Sequence, residues 1–130
     1  MSDMMFREPN QVKWQGSRPG HNGTQVLEGA IIGAINFTIL YTVPVGTRFF
    51  MTYAGLSNYL NIGGNRHLCI YDAGGVIWRV LFGSMNVVNV PSSPVTATFN
   101  PPIELAAAFS IRVYQQALMG TIASVHGWVE

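Results

Sequence analysis

From Gln25 onward, runs rich in Val, Ile, Phe, Tyr and Thr alternate with turn residues at intervals of roughly 8–12 positions, the spacing of a sandwich or barrel. The runs are Val26–Ile32, Phe37–Val43, Thr47–Leu56, His67–Tyr71, Val76–Phe82, Met85–Val90, Thr96–Phe99, Phe109–Gln115 and Ile122–Val129. Pro44-Val45-Gly46 joins the second to the third, with a fixed φ followed by a permissive one. Asp72-Ala73-Gly74-Gly75 is the strongest hairpin signal in the chain. Alternation puts Phe49, Met51, Tyr53 and Gly55 on one face of the third run, and Phe50, Thr52 and Ala54 on the other. It likewise groups Tyr71 with Cys69, and Trp78 with Val80 and Phe82, in an arrangement that fits a core face. Asn58–Asn65 reads as a long loop. Pro91 ends one run and Pro101-Pro102 stop another, which suggests edges or sheet crossings. The one helix candidate, Ile103–Ala108, is a turn or two long. Eight or nine strands without a long helix predict an all-β fold, an antiparallel β-sandwich of jelly-roll type.

Residues 1–25 break this pattern. They carry five of the thirteen Asp, Glu, Lys and Arg residues, with two prolines and three glycines, and show neither period 2 nor period 3.6. The division is therefore an extended N-terminal arm at 1–25 and a β-sandwich domain at 26–130. Phe6 and Trp14 are large anchors for a linker, and Arg7, Lys13 and Arg18 gather the basic charge around them. These five are the candidate partner-binding residues, because an arm that orders on a partner gains from burying aromatics there. The competing reading is a tail draped over its own domain.

Composition narrows the classes. Only 10% of residues are charged, against about 25% in an average soluble domain, and the net charge is +1. Such a surface courts no polyanion, and the seven basic residues are otherwise scattered, so nucleic acid is not an expected partner. The most apolar stretch, Gly29–Val43, is interrupted by Asn36, Thr38 and Thr42 and falls short of the ~20 apolar residues that span a bilayer. No membrane span is expected, and the N-terminus lacks the basic start and apolar core of a secretion signal. A single cysteine, Cys69, permits no internal disulfide and suits folding in a reducing cytoplasm. Exposed apolar area marks interfaces, so the low charge points to a protein packed in an assembly.

Catalytic chemistry is thin. His21, His67 and His126 form no metal-binding spacing, and Cys69, between Leu68 and Ile70, reads as a small core residue. Of the six carboxylates only Glu28 and Glu104 are free of another role, a poor start for a two-carboxylate site. Neither an enzyme activity nor a metal or cofactor is expected. Tyr59, in the Asn/Gly loop, is the one plausible stacking platform for a sugar.

The segments "YTVPVGTRFFMTYAGLSN", "LCIYDAGGVIWRVLF", "PPIELAAAFSIRVYQ" and "GTIASVHGWVE" together resemble small β-sandwich virion proteins of tailed bacteriophages, over about residues 37–130. The arm has no counterpart in that resemblance. It implies a non-enzymatic virion structural protein made in the host cytoplasm. Because the chain has no fibre-like repeat or coiled-coil stalk, the expected role is capsid decoration (cement) on the capsid surface. The expected partners are further copies of itself, as a homotrimer, and the major capsid protein. The alternative is a receptor- or carbohydrate-binding β-sandwich module of a tail fibre or spike. A hydrolase on the same scaffold lacks the residues.

Overall fold

A computed structural model describes residues 23–60, 62–86 and 94–130. Among the described residues there are eight strands: β1 (Thr24–Ile31), β2 (Asn36–Thr42), β3 (Phe49–Asn58), β4 (Gly64–Tyr71), β5 (Ile77–Asn86), β6 (Val95–Leu105), β7 (Ser110–Gln115) and β8 (Thr121–Val129). They form two four-stranded sheets, ordered β1-β8-β3-β6 and β2-β7-β4-β5, and every pairing is antiparallel. Consecutive strands lie in different sheets except β4 and β5, which pair as a hairpin, and this double Greek-key order is that of a jelly roll. The division at Gln25 moves slightly, since Thr24 and Gln25 already belong to β1.

Local chemistry explains the turns. In the β4–β5 hairpin the Asp72 carboxylate accepts the backbone N–H groups of Gly74 at 2.9 Å and Val76 at 3.0 Å, and Gly75 takes a φ of 80°. That left-handed conformation costs glycine nothing. After β2, Thr47 bonds back to the Pro44 carbonyl through both its amide and its hydroxyl.

The core between the sheets is apolar. Phe49, Met51, Ala54 and Leu56 of β3 meet Leu68 and Ile70 of β4, Ile111 and Val113 of β7, Leu105 of β6, and Ala123 and Val125 of β8. Full burial of such a large side chain contributes roughly 1.5–3 kcal/mol.

Five expectations are corrected. Tyr53 and Gly55 do not share a face with Phe49 and Met51. Opposite β8, Met51 pairs with Gly127 and Tyr53 with His126, so Thr52 is an extra residue and the alternation flips phase. Ala54 and Leu56 then take the inward positions. The bulge also brings the chains close, because a Cβ on Gly127 would sit 2.1 Å from the Phe50 carbonyl oxygen.

Pro101-Pro102 do not stop their strand. The partner of β3 jumps from Thr98 at Tyr53 to Ile103 at Met51, so residues 99–102 bow out opposite Thr52. Two prolines without N–H donors are tolerated there because β6 is an edge strand, as their presence suggested. The helix candidate Ile103–Ala108 is instead the end of β6 and a turn, with Ala108 at a φ of 70°. Trp78 and Val80 do not face the core and stand about half exposed, at 49% and 54%. The reason is that β5 is an edge strand with bulges opposite β4. The Met85–Val90 run is not a separate strand at its start, since β5 continues through Asn86 and the rest lies outside the described residues.

Candidate interaction surfaces

The outer face of the β2-β7-β4-β5 sheet carries a row of rings. Register sets Phe37 opposite Tyr114 and Tyr114 opposite His67. The Phe37 and Tyr114 ring centroids lie 5.0 Å apart, and His67 stacks on Tyr114 at 5.3 Å. In the next row Arg112 lies between Ile39 and Cys69, its guanidinium 4.2 Å from the Tyr71 ring centroid and its Nε donating to Ser110 Oγ at 3.0 Å. Cys69 is buried on this face, beneath that layer, while Leu68 and Ile70 on either side point into the core. It is a small buried residue as expected, but outside the inter-sheet core. Burial pushes its thiol upward, and burial, then the neighbouring Cys69, raise the Tyr71 phenol against the opposing pull of Arg112.

The two flanks of the sandwich are apolar and exposed. Along one, β1 exposes Leu27 and Ile31 on the outer side of its sheet, in rows with His126 and Ile122, and β2 exposes Phe37 and Ile39 on the outer side of the other. Glu28 is the only charge on those two strands, and burial together with Glu28 raises the Tyr41 phenol. On the opposite flank β5 exposes Ile77, Trp78 and Val80, with Arg79 its only charge. Trp78 meets Phe109 edge-on at 5.7 Å.

On the outer face of the other sheet, Trp128 stacks on Phe50 at 5.1 Å and donates its indole N–H to the Glu130 carboxylate at 2.8 Å. Tyr53 packs against His126 at 4.7 Å. At one end of the core a polar group is buried. Arg66 donates to Asn58 Oδ1 at 2.5 Å, the Gln115 amide donates to the carbonyls of Ile32 and Ala34, and Thr121 Oγ1 is buried without a partner among the described residues. Burial lowers the Arg66 pKa.

Phe6, Arg7, Lys13, Trp14 and Arg18 lie outside the described residues. Tyr59 is 63% exposed, with one side of its ring against Gly120, where an added Cβ would fall 2.7 Å from Cε1. Glu28 and Glu104 stand on opposite edges of one four-stranded sheet, three strand spacings or at least about 14 Å apart. That exceeds the ~5–9.5 Å of a glycosidase pair, and Glu104 instead binds Arg48 at 2.6 Å. His67 and His126 lie on the outer faces of different sheets. No group of three potential metal ligands occurs among the described residues, and none of their helices is long and apolar enough to cross a membrane. The exposed flank of β5 was missed by sequence reasoning because an apolar run reads alike at a sheet's centre and at its edge. Comparison with known proteins returns no matching family model and no matching curated protein.

Proposed function

We propose that this chain is a non-enzymatic structural protein of a tailed-phage virion, a capsid decoration protein that assembles with copies of itself, as a trimer, and clamps neighbouring capsid subunits. The observation that carries this reading is the pair of exposed apolar flanks on a jelly roll with only 10% charged residues. Apolar surface of that extent is stable in water when it spends its life covered. Clamping would act by area burial, at roughly 25 cal/mol per Å², repeated over many copies. The arm, with Phe6, Arg7, Lys13, Trp14 and Arg18, is assigned the shell or a neighbouring subunit as its partner. A fold of this kind hosts many functions, so the surface and not the fold carries the reading.

The carbohydrate-binding alternative needs open ring faces on which a sugar can lie. In the Phe37–Tyr114–His67 row the rings pack against one another, so Tyr59, 63% exposed with one side of its ring against Gly120, is the ring that reading would use. Purified particles of the virus encoding this chain supply the test. Copy number should match a fixed multiple of the capsid subunits, and deleting residues 1–22, which leaves β1 whole, should lower occupancy. Absence of the chain from particles, or binding to a glycan array without capsid binding, would overturn the reading.

A further inference from the structure

The two apolar flanks are not copies of each other, and their chemistry is complementary. We infer that copies of this chain join head to tail, the β1–β2 flank of one against the β5 flank of the next, and close into a ring. This inference rests on the homo-oligomer in the reading above and names the surface that builds it.

Strand direction supports the joint. Each sheet has four strands and every neighbouring pair is antiparallel, so its two edges run in opposite directions. Rotation about an axis parallel to the strands therefore brings β5 of one copy antiparallel to β2 of the next, extending the sheet across the joint. Phe37 and Ile39 would then become cross-strand neighbours of Ile77 and Val80, since all four sit in rows with outer-face residues: Tyr114, Arg112, Tyr71 and Cys69 respectively. Among the described residues β2 pairs only with β7 and β5 only with β4, which leaves each a free backbone edge. Such edges are templates for pairing with another chain.

Charge selects head-to-tail over self-pairing. Glu28 lies in register with Val125 and Arg79 with Ile70, both core residues, so each charge sits on the inward side of its own edge strand. A two-fold joint of like flanks would set Glu28 against Glu28 or Arg79 against Arg79. The head-to-tail joint brings Glu28 to the flank that carries Arg79, where the carboxylate of the β6 edge, Glu104, is already held by Arg48.

Area supports the same occupant. Phe37 and Ile39 on one side, and Ile77, Trp78 and Val80 on the other, are 46–54% exposed. Each keeps on the order of 100 Å² accessible, so these five side chains supply about half of the ~1,000 Å² of a specific interface, and the β1 and β6 edges that the same joint brings together add to it. Joints of unlike surfaces close into rings when the rotation permits.

Sedimentation velocity on the purified full chain tests the ring. Wild type should sediment as a closed oligomer, while Ile39→Lys and Trp78→Lys, each on an exposed position, should sediment as monomers with an unchanged circular-dichroism spectrum. Each variant retains one intact flank, so their mixture should yield a two-chain species and nothing larger. Glu28→Arg and Arg79→Glu should each weaken association at least tenfold, and the double variant should restore it, a readout independent of any packing defect. A monomeric wild type, or a mixture of the two lysine variants that stays monomeric, would overturn the head-to-tail joint. Particle occupancy is measured separately, so a failed ring and a failed virion assignment give different results.

Discussion

Strands β3 and β5 are both ten residues long and both begin with an apolar, aromatic run, yet they meet opposite fates. β3 lies between β8 and β6 and buries Phe49, Met51, Ala54 and Leu56 completely or nearly so. β5 is an edge, and Ile77, Trp78 and Val80 stay about half in water. The difference is a matter of neighbours, not of residue type. Apolar side chains on β3 hold one chain together, whereas those on β5 are available to hold two chains together.

The sharpest way to break that contrast is to truncate one large side chain on each strand. Phe49→Ala should lower folding stability by about 3–5 kcal/mol, since it empties a fully packed site. Trp78→Ala should cost about 1 kcal/mol or less in the monomer, because surface sites rarely cost more. Urea denaturation of both variants gives the comparison directly, and equal losses would contradict it.

A second effect concerns the bulge that turns Ala54 and Leu56 inward. Gly127→Ala would place its Cβ 2.1 Å from the Phe50 carbonyl oxygen, a backbone atom that cannot swing aside. A loss of about 1–3 kcal/mol is expected, the range typical of overpacking, and thermal unfolding measures it.

The pH dependence sharpens the view of the outer face. The Cys69 thiol and the Tyr71 phenol both titrate above their ordinary values when folded. The native state therefore favours their neutral forms, and that stability is fully present below the unfolded thiol value near pH 8.5. Above it the unfolded chain releases protons first, so stability falls as pH rises through the raised folded values. Melting temperature should decline as pH rises above about 8.5. Cys69→Ser should flatten the lower part of the decline, and native Cys69 should react slowly with a thiol reagent.

The smallest effect belongs to the exposed pair Arg48–Glu104. Both side chains face solvent, so Glu104→Gln should change stability by less than ~1 kcal/mol, and salt should mask even that.

Much of the fold was legible because its signals are local. The Asp72–Gly75 hairpin could be read from four residues, since the carboxylate caps the very amides that follow it. Strand identities were legible from their Val, Ile, Tyr and Phe content for the same reason. Face assignments failed where a long-range partner inserted a bulge: Thr52 gives no sequence sign that β8 will skip it. The flanks escaped notice on the same grounds, because "VIWRV" alternates as a core strand would.

The sequence by itself determined that this chain is built of short strands and turns, and that its surface would be poor in charge. Propensity, turn chemistry and composition act over a few residues and need no partner. Only the tertiary structure decided which strands are central and which are edges, where the proline pair bows out, and that two unlike apolar flanks stand on opposite sides. Those features depend on hydrogen bonds between residues as far apart in sequence as Thr24 and Val129, and the pattern of either segment alone does not specify its partner.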